Sequence, residues 1–584
     1  MVKLSDYVIQ FLAKLGIKHV FMMIGGSITH LVDSSIDRDD LKMITMHHEQ
    51  GAAFAAEGYA RCTGSIGVAM ATSGPGATNL LTGIGSCYFD SIPCLFITGQ
   101  VNTYEYKFDR PIRQVGFQET DIVQIVKPIT KGARFVEKAE DIFRDLNWAV
   151  NLALSGRQGP VLLDIPMNIQ RALINCDGMS FPSAKDVFFD DDKTSFDKVC
   201  PLLCQAKRPV ILVGGGLRRS NACDELYNLV KKTGIPVVSS LMGLDAFPHN
   251  HPAYSGMIGS YGHRYANLAV ANSDFLLILG SRLDTRQTGT KPKTFARAAT
   301  IVRVDVDTEE LNAFNGSHLN IRMDVKEFLK SLNKCLEHKD FKAPQGWMDV
   351  LDSYKIKFPA FDPEVKMINS PNKLISRLSD LVQDDAIIAL DVGQNQIWAA
   401  QSFKMKKGQR ILISGGMGSM GFALPAAIGA SFANPNKQAV VIVGDGGLQV
   451  NIQELQTIVR NNLQIKIIVF NNRSLGMVRQ FQEIYFNGRR EGTLDGYDCP
   501  NFVDVAKAYK IKAFSVSDED EVDSKLQQFF AISGPSLLEV HISQNSILSP
   551  KLLVNDPIEN QDPKLSPEEL KEIMIIPVLE DEKN

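Results

Sequence analysis

The 584-residue sequence has no apolar run approaching the ~20 residues needed to span a bilayer. It has no large excess of either charge. A formal net charge of -4 gives no electrostatic reason to expect nucleic acid or an anionic membrane as partner. A paired cysteine framework is missing too: nine cysteines are an odd number, which points to a reducing compartment. Cys200 and Cys204 have no second Cys or His pair nearby, which argues against zinc. The opening stretch MVKLSDYVIQFLAKLGIKHVF lacks the basic start and unbroken apolar core of a signal peptide, so the cytoplasm is the expected compartment. Short-period repeats and low-complexity tracts are also absent.

What remains is an ordinary globular composition, 44% hydrophobic and 22% charged, on a chain long enough for about three domains. Short apolar runs alternate with amphipathic stretches in three blocks, which predicts parallel sheets with crossover helices. The expected fold is α/β, with three doubly wound parallel-sheet domains. The first, at 1–170, contains SIGVAMATSGPG, IPCLFITGQV and GPVLLDIP. A polar stretch with DDDK at 190–193 reads as a linker. The second, at 190–345, opens with RPVILVGGG, and the third, at 369–548, contains AIIALDVG, QAVVIVGDGG, IKIIVFNN and PSLLEVHIS. Residues 549–584, rich in Pro and charge, read as an extended arm or partly ordered cover.

The third block carries the sharpest chemistry. VVIVGDGGLQV reads as a strand, a Gly-rich turn and a helix, with Asp445 at the strand end. IKIIVFNNRSLGM supplies another strand ending at Asn472, 27 residues later, room for one crossover helix. Parallel strands would then bring Asp445 and Asn472 together where open α/β sheets bind ligands. A carboxylate and an amide carbonyl are hard oxygen ligands suited to Mg²⁺ on a diphosphate, and Gly446 and Gly447 would offer backbone N–H groups to phosphate. Just upstream, GGMGSMG has the G-x-G-x-x-G spacing of a dinucleotide fingerprint, but a lone fingerprint is weak evidence. In HHEQGAAFAAEGYAR, Glu49 heads a helix whose small residues at 52, 53, 56 and 60 demand a close neighbour.

With these motifs assembled, the sequence resembles the thiamine-diphosphate-dependent enzymes, specifically their acetolactate synthase branch, over about residues 1–548. The resemblance implies a pyrimidine-binding domain, a central domain of FAD or ADP type, and a diphosphate-binding domain. It implies Asp445, Asn472 and the Ser474 carbonyl as Mg²⁺ ligands. Val392, Gly393, Gln394, Asn395, Gly444, Gly446, Gly447, Gly476 and Met477 would meet the diphosphate side of the cofactor, and Gly25, Thr72 and Asn79 the other. The family usually has His where this chain has Asn395, a change that keeps a donor but loses a titratable group. Gly418 would accept the 4′-amino group, Met420 would bend the cofactor, and Glu49 would exchange a proton with N1′ of its pyrimidine. The cofactor would lie between two subunits, so a homodimer or homotetramer is expected.

The implied reaction is decarboxylation of a 2-oxo acid, pyruvate, with transfer of the two-carbon unit to a carbonyl acceptor. Phe117 and Gln118 resemble the acceptor pocket. Met167 stands where synthases usually have Lys, Phe481 stands in the place of a Trp, and the loop before Phe117 is longer, with Lys107, Arg110 and Arg113. Two alternatives follow: acetyl transfer to a nucleotide-linked ketosugar in surface-polysaccharide synthesis, or a non-ligating decarboxylase. For the central domain the resemblance suggests FAD, with Arg157, Gly214, Gly215, Arg282, Arg286, Asp305 and Asp324 as contacts. Thr285 in place of a family Asp leaves an ADP-type ligand or no ligand open.

Overall fold

The computed structural model describes residues 1–176 and 193–579. The 190–193 stretch read as a linker lies outside them except for Lys193, which opens the Lys193–Phe196 helix. Three six-stranded sheets, each entirely parallel, follow one another along the chain. Their central strands are apolar runs buried on both faces, as parallel sheets covered by crossover helices require.

All three sheets reverse direction beside their first strand, after one outward strand in the first and third and after two in the second. In the first, His19–Met22 lies between Lys42–Thr45 and Gly67–Ala71, so the chain turns outward once and then crosses to the other side. In the second, Pro209–Val213 lies between Val237–Ser239 and Phe275–Leu279. In the third, Ile387–Leu390 lies between Arg410–Ile413 and Ala439–Gly444. At each such switch the two adjacent loops part at the carboxyl ends of the strands and leave a crevice.

One apolar core joins the first and third sheets. Its centre is the Glu49–Thr63 helix packed on Ala423–Ala433. A Cβ at Gly58 would lie 2.1 Å from the Ala426 carbonyl oxygen, and one at Gly429 would lie 1.8 Å from that of Ala55. The small residues of HHEQGAAFAAEGYAR are thus explained by a second helix, and by Gly83, whose Cβ would meet that of Ala53 at 2.2 Å. The chain after Leu548 runs back over the central sheet, where Leu552, Ile558, Leu570 and Ile573 enter a core formed with Leu276 and Trp347. Residues 580–584 of that segment lie outside the described ones. No helix among the described residues is long and apolar enough to cross a membrane.

Because the atoms facing Gly429 are backbone, nothing there can swing aside. Gly429→Val is expected to destabilise the protein by about 3 kcal/mol, the upper end of typical overpacking costs, read as a lowered urea midpoint.

Candidate active site

At the switch of the third sheet, Asp391 follows Ile387–Leu390 and Asp445 follows Ala439–Gly444. Asp391 is fully buried and accepts the Gly421 and Ala423 N–H groups at 3.0 and 2.9 Å. It thereby pins the loop bearing Gly418 and Met420 against the strand ends. Burial pushes its carboxyl up to about 6, against the pull of those backbone donors. Asp445 is pushed to about 6 by the same cause, and its Oδ2 accepts from the Tyr497 hydroxyl at 3.1 Å. Asn472 follows the neighbouring Ile465–Asn471 strand; its Oδ1 accepts the Ser474 N–H at 3.2 Å, and its Nδ2 donates to Gln394 Oε1 at 3.2 Å.

This is an oxygen-only donor set, the kind Mg²⁺ prefers, and a divalent cation would relieve the buried Asp445 carboxylate. Among the described residues no group of three or more His, Cys, Asp or Glu is placed to hold a metal ion. Around the donors the backbone is packed too closely for side chains. A Cβ at Gly446 would come within 2.5 Å of Leu475 and 3.2 Å of Met420, at Gly447 within 2.5 Å of Asp391, and at Gly476 within 2.0 Å of Gln394. Gly393, at φ 147, and Gly418, at φ 65, adopt conformations that L side chains rarely enter. Val392 and Gly393 lead into the Gln394–Ser402 helix, Gly444 caps Asp445–Val450, and Met477 is second on Gly476–Tyr485. Asn395 departs from expectation: its Nδ2 donates to the Asp391 and Ile442 carbonyls, so Oδ1, the acceptor, faces Gly393 and Gly444.

The fingerprint-like GGMGSMG has other work. Its Gly415 and Gly416 N–H groups donate to the Asp90 carboxylate at 2.9 and 2.8 Å, and Asp90 is itself held by Arg61. A dinucleotide would find those donors engaged.

The first sheet supplies a second half-site. Gly25 and Thr72 face each other across its switch, a Gly25 Cβ falling 2.5 Å from the Thr72 side chain. Glu49 is buried at the start of its helix, with His48 Nδ1 capping that helix by accepting the Gln50 N–H at 3.0 Å. Asn79 Nδ2 donates to Glu49 Oε2 at 2.9 Å and fixes the carboxylate. Glu454, from the third block, accepts the His47 N–H at 3.0 Å and ties this helix start to the other half-site. Phe117 is 85% exposed, and Gln118, at φ 64, sits over Gly74. The long loop before them is organised by Glu119, whose carboxylate accepts the Lys107, Val115 and Gly116 N–H groups. Arg110 turns inward to the Tyr106 and Lys107 carbonyls. Gln100 joins this loop to the sheet, donating to the Thr120 carbonyl at 2.8 Å and to Asp164 at 2.9 Å.

At the switch of the central sheet lies a cavity of about 600 Å³. Arg157, Gly215, Arg282, Arg286, Asp305 and Asp324 line it. Gly214 lies just behind, where a Cβ would strike the Gly280 carbonyl at 2.2 Å. Several of these groups have local duties: Arg157 pairs with Asp307 and Glu310, Arg282 is 3.7 Å from Asp284, and Asp324 caps the Val325–Cys335 helix. Arg219, also on the wall, is brought down to about 9 by burial and by Arg410 and Arg61, and its Nε and the Ser220 hydroxyl lack partners among the described residues.

Family models match a stretch of each of the three sheets in turn. Residues 2–125 match the N-terminal TPP binding domain of thiamine pyrophosphate enzymes, 196–332 their central domain, and 391–540 their C-terminal TPP binding domain. The chain belongs to this thiamine pyrophosphate enzyme family. Acetolactate synthase 2, chloroplastic, of Nicotiana tabacum is 39% identical over 94% of this chain and 83% of its own length. Acetolactate synthase 3, chloroplastic, of Brassica napus is 40% identical over 92% and 83%. The "Probable acetolactate synthase large subunit" of Methanocaldococcus jannaschii is 37% identical over 92% and 91%. The protein is therefore an acetolactate synthase-like enzyme dependent on thiamine diphosphate.

In this thiamine pyrophosphate enzyme, sequence reasoning passed over Asp391, Tyr497 and Glu454. Asp391 had a signal, since AIIALD ends an apolar strand on Asp just as VVIVGD does. Tyr497 lies in an irregular loop, and only the fold brings it to Asp445.

Asp164 is buried, and burial pushes it up to about 7 despite donors from Thr98 and Gln100. Its folded pKa lies above the unfolded value, so its contribution to stability is complete below pH ~4 and is lost as pH rises to about 7. Asp164→Asn is expected to flatten stability against pH in that window, by up to about 1.4 kcal/mol per pH unit, in denaturation series of both proteins.

Proposed function

We propose that the enzyme decarboxylates pyruvate and transfers the remaining two-carbon unit to a carbonyl acceptor. One observation carries this reading: a carboxylate oriented by an amide, Glu49 with Asn79, and an oxygen donor set at adjacent strand ends, Asp445 and Asn472, lie on two sheets joined by one core. Thiamine diphosphate, when bound, supplies the electron sink that lets CO₂ depart. Glu49 holds and exchanges a proton at the pyrimidine ring nitrogen, and Asn79 keeps its carboxylate aimed. Asp445, Asn472 and the Ser474 carbonyl would hold Mg²⁺, the backbone at Gly446, Gly447 and Gly476 would meet the diphosphate, and Met420 would bend the cofactor.

We read the active unit as a homodimer. Glu49 forms no hydrogen bond to Asp445 or Asn472 among the described residues. Phe117, Met23 and Ile24 on the first domain are exposed, as are Val450, Val478 and Phe486 on the third. Two apolar faces, each beside one half-site, support a pairing in which Glu49 of one protomer meets the metal motif of its partner. In the central cavity we assign FAD, held at Arg286, with anionic oxygens meeting the unpartnered Arg219 and Ser220 atoms. It takes no redox part in this reaction. The ketosugar alternative draws less support, because Arg110 is tied into its own loop.

Purified protein with thiamine diphosphate and Mg²⁺ is expected to release CO₂ from pyruvate, with Glu49→Gln lowering the rate at least about 100-fold and EDTA abolishing it reversibly. Normal turnover in Glu49→Gln would refute the assignment. The protein is also expected to copurify with a flavin visible in its absorption spectrum, and Arg286→Ala to retain less than half as much per protomer.

A further inference from the structure

After Leu548 the chain crosses from the third domain to the central one, and it is tied at each step. The Leu548 N–H donates to Gln480 Oε1 at 2.8 Å, and its carbonyl accepts from Gln480 Nε2 at 2.9 Å. Gln401 donates to the Ser549 carbonyl, and the Leu552 N–H donates to the Ser260 carbonyl at 2.7 Å. Lys551 exchanges backbone hydrogen bonds with Asp562 at 2.9 and 2.7 Å. Its side chain is therefore delivered to one place, between the Gly476–Tyr485 helix and the rim of the central cavity.

There the ammonium lies 5.4 Å from the ring centre of Tyr485, 5.7 Å from Phe481 and 6.0 Å from Tyr261. Lys551 is only 8% exposed, yet it forms no ion pair among the described residues; exposed Asp562 acts on it only at a distance. Burial holds the ammonium below the ordinary lysine range. Ring faces offset part of the cost of removing a cation from water, but they do not neutralise it. The surroundings remain open on one side: Phe481 and Tyr485 are 46% and 40% exposed, and Tyr261 lines the cavity wall together with Arg286. The unneutralised charge thus faces space bounded by the cavity rim and by the helix that follows Asn472 and Ser474.

We propose that Lys551 is a specificity-determining residue that binds the anionic group of the carbonyl acceptor. This rests on the transferase reading above. The shared ligand chemistry is a carbonyl compound bearing carboxylate or phosphate oxygens. A neutral aldehyde gains nothing from this cation, so the charge sorts acceptors by their own charge and leaves the chemistry of the donor to the thiamine site.

The test uses the full-length enzyme with thiamine diphosphate, Mg²⁺ and pyruvate, offered 2-oxobutyrate, a uridine-diphosphate-linked 4-ketohexose, or benzaldehyde. Products are quantified by mass spectrometry for the native protein, Lys551→Met and Lys551→Arg. The ratio of anionic-acceptor product to benzaldehyde product is expected to fall at least tenfold in Lys551→Met, through a raised KM for the anionic acceptor. Lys551→Arg is expected to restore most of it. A fall in the 2-oxobutyrate arm assigns the cation to a carboxylate, and a fall in the nucleotide-sugar arm assigns it to phosphate. Each product ratio is independent of the fraction of protein that folds, so unchanged ratios in both arms overturn the proposal. Absence of CO₂ release by the native protein shows instead that the transferase reading has failed, and removes this assignment with it.

Discussion

The closeness of two helices, Glu49–Thr63 and Ala423–Ala433, is the constraint on which the rest depends. Carbonyl oxygens stand where side chains would begin at Gly58 and Gly429, so the axes approach as near as backbone allows. Contact at that range has no slack, and it turns two separately wound sheets into one body. Glu49, at the end of the first helix, inherits its position from this contact. Glu454 completes the restraint from the opposite domain by gripping the peptide group two residues before Glu49.

Polar groups at the same junction do a related job. Arg61 is buried between Glu57 and Asp90, and Asp90 also receives two N–H groups of the glycine loop that carries Gly418 and Met420. On the other side of that loop Asp391 receives two more. A glycine-rich segment costs much entropy to order, and carboxylates at both ends hold it. The price of ionising Asp391 in the interior is visible in its upward shift, and the return is a loop with one conformation.

Much of this was legible in the residues because strand ends announce themselves. Apolar runs closing on Gly or Asp marked the strands of all three sheets, and the 27-residue separation of Asp445 and Asn472 matched the ends of two neighbouring strands. Contacts between blocks were not legible. Nothing in HHEQGAAFAAEGYAR says that its small face meets FALPAAIGASFA, since either stripe could seat any flat partner. Nor does the sequence say which groups the Asn395 amide meets; in the fold its Nδ2 donates to the Asp391 and Ile442 carbonyls. Tyr261, Tyr485 and Lys551 come from three distant segments, and their meeting is a property of the crossing after Leu548 alone.

That crossing has a consequence for how the enzyme is made. Residues 548–552 follow all three sheets in chain order, so on a ribosome every strand can pair before the Lys551 cation leaves the exit tunnel. The catalytic half-sites and the acceptor's proposed anchor thus mature at different times. The ties that this crossing makes between the third and central domains are therefore among the last that a nascent chain can form.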